Sequence, residues 1–418
     1  MRLLINLLLL AFAFLPLNLL CSDWPQWRGP LRTGYVPAGE AVPAALPAEP
    51  KVLWRGNAGT GFASPVVAGG KVFFLDNQES METAHALDAA TGKELWQTPI
   101  FAAHKDNFGI GPRCAPLADG DRLFVQSCKG EFQCLNIADG KLLWHKNFVT
   151  DFGAVFIGEL GKAAGGSRHG NTGSPVIDGE NVIVQVGSPN GASLVAFKKS
   201  SGELVWKSQN DQTAYAAPMI ATLAGVKQVI SFTIEGLIGL DVADGKLLWR
   251  VPMKTALGRH VTTPVIVDDL VLVASHQIGL IATRISKDAS GLKAEQAWIS
   301  KEMAINFACP VAVGHYLYGL GPAKNIFCLD ALTGKLAWEK DGCILSAPDK
   351  AHASFMVMDK NILMLNDSGQ LILFGADPQE FKEKSRVQVC GFNWCSPAYV
   401  DGKLFVRDNK EILCLNLL

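Results

Sequence analysis

Arg113, His169, Asn171, Tyr215, Arg259, His260, Asn306, His352, Asn393 and Trp394 are the side chains of this sequence best suited to holding a ligand. Together with Phe62, they stand in short segments that recur along the chain. A guanidinium presents a planar fork of donors to a carboxylate or phosphate, imidazoles and amides add directed donors, and Tyr and Trp offer flat apolar faces. Set around one opening, such a group suits a small anionic or planar ligand. The same residues fit a wet polar channel in which every group bonds only to water and backbone. Asp211 and Asp349 are the carboxylates nearest these segments, and they form no motif. Hard divalent cations need oxygen ligands, so no metal site is assigned. No catalytic residue is assigned.

What must position these groups is a repeat. Leu87-Asp88 through Thr91-Gly92-Lys93 to Trp96 returns as Leu135-Asn136 through Asp139-Gly140-Lys141 to Trp144, and as Ser201-Gly202-Glu203 to Trp206. Leu240-Asp241 to Trp249 and Leu329-Asp330 to Trp338 are two further copies. A glycine turn between two apolar runs predicts a β-hairpin, because glycine reaches positive φ without a steric penalty. The Trp at a constant place on the returning strand predicts a bulky group that docks each unit on its neighbour. Trp54 and Trp298 extend that set.

Each unit opens with a small residue and Pro: Ser64-Pro65, Ala115-Pro116, Ser174-Pro175, Ala217-Pro218, Thr263-Pro264, Cys309-Pro310 and Ser396-Pro397. The spacings are 51, 59, 43, 46, 46 and 87 residues, the last being two units. The missing start falls at Ala353-Ser354-Phe355, in a unit without a docking Trp, where Phe381 is the nearest substitute. The eighth unit ends before a fourth strand, and Val52-Leu53-Trp54-Arg55 supplies one from the other end of the chain. The expectation is an all-β, eight-bladed propeller over 51–418, closed by an N-terminal strand near Trp54.

The recurring Ala/Cys-Leu-Asp-x-x-Thr/Asp-Gly-Lys-x-x-Trp is similar to the pyrroloquinoline-quinone (PQQ)-like propeller repeat, which covers residues 51–418. The opening Trp24-Pro25-Gln26-Trp27-Arg28-Gly29-Pro30 and Asp151-Phe152-Gly153 resemble exported members of that family from planctomycete-type bacteria. Quinoprotein dehydrogenases carry this repeat. So does BamB, the scaffold lipoprotein of the machinery that assembles outer-membrane β-barrels, which binds no quinone. The quinone enzymes add carboxylate ligands for calcium, a catalytic aspartate and usually a pair of adjacent cysteines; no two cysteines are adjacent here. The resemblance therefore implies a non-catalytic binding or scaffold protein with an envelope protein as partner and no cofactor. The alternatives are a quinoprotein dehydrogenase using PQQ with calcium on the Arg113/Arg259 side, and a carbohydrate-binding propeller using Trp394 and Tyr215.

Composition narrows the rest. The 418 residues carry a formal charge of −1 with no basic patch, which gives no reason to expect nucleic acid. Residues 1–22 read as a signal peptide, so the mature chain is expected in the periplasm or on the cell surface with no transmembrane segment. A lipid anchor at Cys21 is the lesser reading. Residues 23–50 read as an arm covering an apolar patch, and the glycine-rich insertion from Asn147 to Thr172 as a lid or a bare Ω-loop. Ten cysteines are present. Most are expected as small buried apolar residues, because Cys114/Cys134, Cys309/Cys328 and Cys395/Cys414 fall on first and third strands, too far apart to bridge. Cys390 and Cys395 are the better disulfide candidates.

Overall fold

The computed structural model describes residues 23–155, 169–255, 258–348 and 350–418. Residues 1–22, 156–168, 256–257 and 349 fall outside them, and with them the signal-peptide and lid readings. Eight four-stranded antiparallel sheets follow one another along the chain. Blades 1 to 7 span 66–102, 117–147, 176–208, 219–252, 265–300, 311–340 and 353–388. Blade 8 joins Ala398–Val400, Lys403–Arg407 and Glu411–Asn416 to the N-terminal strand Lys51–Asn57, with Trp54 opposite Cys414. The ring is an eight-bladed β-propeller closed as the unfinished last repeat requires.

The repeated turn folds as its residues dictate. The Asp88 carboxylate accepts hydrogen bonds from the backbone N–H of Ala90 and Thr91 and from the Thr91 hydroxyl, and Gly92 takes φ 72°. Gly92 also lies on the Trp54 ring of the preceding blade, where a Cβ would come within 2.6 Å. Gly140 on Trp96, Gly202 on Trp144, Gly245 on Trp206 and Gly334 on Trp298 repeat the arrangement. The indole N–H of each docking Trp donates forward to the next blade: Trp54 to Ala89, Trp96 to Ile137, Trp144 to Lys199, Trp206 to Val242, Trp298 to Ala331 and Trp338 to Asp377. Trp249 departs from the rule. Its N–H bonds Gln228 of its own blade, and blade 5 meets it with a longer outer hairpin that has no turn glycine at the docking place.

Blade 7 corrects one expectation. Phe381 does not replace the missing Trp; it packs on Trp338, receiving the blade before it. Ser385 occupies the Trp register, opposite Leu373, and its hydroxyl accepts the backbone N–H of Leu46 at 2.7 Å. Buried Leu46 belongs to the core shared by blades 7 and 8, so the arm supplies the apolar side chain that the repeat lost.

The arm is also more than a cover. Trp24 pairs with Val67 on the free inner edge of blade 1, and Ala118 of blade 2 donates to Pro25. Arg32 bonds the Ser174 and Pro175 carbonyls before blade 3, and Arg28 bonds Pro310 before blade 6. Gly34 and Val36 bond Val357 of blade 7. A segment that bonds blades 1, 2, 3, 6 and 7 at their inner strands must cross the axis of the ring. It is a plug.

The cysteines follow their bland reading with one correction. All nine described cysteines are free thiols, Cys390 and Cys395 among them. Asn393 sits between that pair, its amide oxygen accepting the Cys395 N–H and its amide nitrogen facing the Cys390 sulfur. Burial pushes these thiols up, Cys390 to about 12 and Cys395 to about 11.

Candidate functional site: a plugged axial well

The channel above the plug is a well of about 190 Å³. Its wall is built by the segments that lead into the innermost strands, and its periodicity is that of the sequence. The residue three places before each Pro, or before Phe355 in blade 7, lines the well in all eight blades. These are Phe62, Arg113, Thr172, Tyr215, Val261, Phe307, His352 and Trp394. One place before the Pro stands a lower tier in seven blades: Ser64, Ser174, Ala217, Thr263, Cys309, Ser354 and Ser396. Trp27 and Arg28 of the arm form the floor.

This parity sorts the ten candidates. In an extended chain successive side chains point to opposite sides. Asn171, His260, Asn306 and Asn393 all stand four places before the Pro, and none lines the well. Asn171 accepts from the Gln126 amide and donates to the Gln185 carbonyl, tying blade 2 to blade 3. His260 stacks on Phe232 at 4.1 Å and bonds the Thr233 carbonyl through Nδ1; burial lowers its pKa to about 4. Asn306 lines a separate cavity of about 240 Å³ with Phe307, Leu320 and Pro348. Asn393 caps the cysteine turn described above. The other six, Arg113, His169, Tyr215, Arg259, His352 and Trp394, come together around the well.

Trp394 is the centre of the aromatic wall. Its ring lies 5.2 Å from Phe62, 5.4 Å from Phe307 and 5.4 Å from Phe108. His352 stacks on it at 5.9 Å, and burial lowers the His352 pKa to about 4, which leaves a neutral imidazole at neutral pH.

Asp106 and Phe108 escaped sequence reasoning. They sit on a small hairpin, Lys105–Asp106 with Gly109–Ile110, between blades 1 and 2. The signal was the 51-residue spacing from Pro65 to Pro116, longer than the units of 43 to 46. Phe108 reaches across the mouth to Phe307 at 5.6 Å as well as to Trp394. Asp106 fixes the hairpin. It accepts from Arg113 at 2.8 Å, from His169 Nδ1 at 2.8 Å and from the Phe108 backbone N–H at 2.8 Å, with His104 at 3.6 Å. Burial opposes its charge, but His104, His169 and Arg113 outweigh it and hold the carboxyl far below its usual range. Asp211 lies elsewhere, bonded to Arg250 and Thr233.

The donor set does not fit calcium-assisted PQQ chemistry. Among the described residues no carboxylate lines the well, the oxygens of Asp106 are committed to Arg113 and His169, and no three His, Cys, Asp or Glu side chains cluster to hold a metal ion.

Fold and site together define a β-propeller with a plugged, arginine- and aromatic-lined axis. The family model described as Outer membrane protein assembly factor BamB matches residues 80–340, and the chain belongs to that family. BamB of Yersinia pestis is 24% identical over 388 residues, covering 86% of each chain. BamB from Moraxella catarrhalis superposes with a TM-score of 0.57 at 14% identity, over 88% of this chain and 98% of that one. The quinohemoprotein alcohol dehydrogenase from Comamonas testosteroni superposes with a TM-score of 0.66 at 13% identity, over 95% of this chain and 80% of that one. At such identity the two solved structures share the fold.

Proposed function

We propose that the protein is a non-catalytic scaffold of the bacterial cell envelope that serves outer-membrane protein assembly, with an envelope protein as its partner. The observation that carries this reading is a family relationship spanning most of the chain in relatives named as assembly factors. The dehydrogenase reading loses support from the well, where no carboxylate to hold calcium stands beside the arginines and aromatics among the described residues. Residues 1–22, read as an export signal, agree with an envelope location. No helix among the described residues is long and apolar enough to cross a membrane.

The test is deletion of the gene in its own host, followed by electrophoresis of unheated outer-membrane samples to count folded β-barrels. Loss of folded β-barrel proteins, restored by the wild-type gene, is the expected result. An unchanged profile together with dye-linked dehydrogenase activity in the purified protein would sink the reading.

A further inference from the structure

One outer strand of the ring keeps an unguarded edge. The outer strand of every other blade carries a bulge beside its docking position, with at most two strand residues before it. Such a bulge twists an edge away from further pairing. Blade 5 differs. Its outer hairpin, Gly279–Asp288 with Gly291–Ser300, is longer, and residues 291–296 form an unbroken stretch before the bulge at Ala297. Leu292 and Ala294 pack into the core that holds Trp249 of blade 4. Lys293 and Glu295 face the other way and are exposed.

The backbone of this stretch points outward at alternate residues. Ile285 stands opposite Ala294, yet its N–H goes to the Asp269 carbonyl on its other side at 2.9 Å. In an antiparallel ladder that makes Ile285–Ala294 a pair without exchanged bonds, so the N–H and the C=O of Ala294 both face the free edge. Leu292 and Gln296, two residues to either side, face it as well. Among the described residues no strand pairs with this edge.

We propose that the edge pairs with a second copy of this chain, rim to rim, through antiparallel pairing of the two 291–296 stretches about a twofold axis at Ala294. That register sets Ala294 opposite Ala294 and Leu292 opposite Gln296, so every outward N–H and C=O finds a partner. It also sets Lys293 of each copy opposite Glu295 of the other, which makes the edge its own charge complement. A twofold at Lys293 or at Glu295 would set like charges together and bring inward-bonded residues to the seam. Lys293 is also paired with Asp288 of its own turn. The proposal goes beyond the assembly reading and does not depend on it. An edge of this length buries less than a standard interface, so the dimer is weak and forms at high protein concentration.

The experiment is sedimentation velocity of the full mature chain from micromolar to near-millimolar concentration. A reversible shift from monomer to dimer is expected. Ala294→Pro removes the central outward N–H and leaves the bonds within the blade in place, because that N–H makes none of them. It is expected to abolish the dimer with the urea midpoint little changed. Glu295→Lys and Lys293→Glu each set like charges opposite and are expected to weaken self-association by about tenfold. Mixed in equal amounts, these two variants are expected to pair with each other at least as tightly as the wild type pairs with itself. If Ala294→Pro does not fold, the charge variants decide. A chain that stays monomeric at every concentration, leaving the edge to water or to a strand of another protein, would overturn the proposal. So would a dimer untouched by Ala294→Pro, or charge variants that pair with themselves as readily as with each other. None of these outcomes bears on the number of folded β-barrels, so the two readings fail separately.

Discussion

The indole N–H of Trp54 donates to the carbonyl of Ala89 at 2.8 Å, across the seam where the end of the ring meets its beginning. Trp54 is on the strand that completes blade 8, and Ala89 is in the first blade. Truncating Trp54 to Ala opens a cavity at that seam and is expected to cost about 3–5 kcal/mol. Trp54→Phe, which keeps most of the volume and loses the hydrogen bond, is expected to cost about 1–2 kcal/mol. Urea midpoints measure both. A Trp54→Ala loss under about 1 kcal/mol would show that the seam does not hold the ring.

The turn glycines separate backbone strain from docking. Gly140 has φ 71° and a Cβ there would lie 2.6 Å from the Trp96 ring, whereas Gly179 has φ 54° and open space. Alanine at either site carries about 1 kcal/mol of strain. Only Gly140→Ala adds overpacking, about 1–3 kcal/mol more. Equal losses at the two sites would remove the docking argument.

Two histidines are expected to tilt stability in opposite directions with pH. His85 lies between Asp76, 3.0 Å from Nε2, and Glu94, 2.8 Å from Nδ1. Burial opposes its charge, yet the bonds to both carboxylates outweigh burial and raise its pKa. Its contribution is therefore complete below the unfolded value of 6.5 and is lost as pH rises through the higher folded one. His260, lowered to about 4 mainly by burial, contributes above 6.5 and loses that contribution as pH falls toward 4. His85→Gln should flatten the alkaline limb of the urea midpoint against pH, and His260→Gln the acid limb. A wild-type midpoint that does not change from pH 4 to 8, the span on which these values bear, would contradict both assignments.

Asp106→Asn tests the roof of the well. It removes the charge that Arg113 and His169 share, and leaves Phe108 held by its ring contacts. Trypsin cleavage after exposed Lys105 is expected to quicken at least about fivefold, with a global loss of up to about 3–5 kcal/mol because Arg113 and His169 are left buried without their partner. An unchanged cleavage rate would show that the carboxylate does not hold the hairpin.

The ring was legible because its signals are local and repeated: a turn glycine, a docking Trp and a Pro before each inner strand. One strand at the start of the ring and three at its end gave the closure. The site was legible only in part. Arg113, Tyr215, His352 and Trp394 share one place in the repeat, but Asn171, His260, Asn306 and Asn393 stand one residue earlier, and that single step turns them away from the well. Residue type drew attention to them, and strand parity would have set them aside. Arg28 was hidden for another reason. The arm has no periodicity, and its path across the axis depends on carbonyls 143 and 282 residues away, Pro175 and Pro310. Nothing in a local window encodes such a partner.

Lys51–Asn57 pairs with Glu411–Asn416, so the first strand made is completed by the last. For most of synthesis both edges of that strand stand open, and the arm before it lacks the blade 6 and blade 7 inner strands it will bond. Contacts this distant in sequence are slow to form, and exposed edges invite wrong partners while they wait. A chain rearranged to begin at blade 1 and to carry residues 51–57 at its end would make blade 8 from one continuous stretch. It should refold faster and aggregate less than the natural order, while the finished ring stays the same.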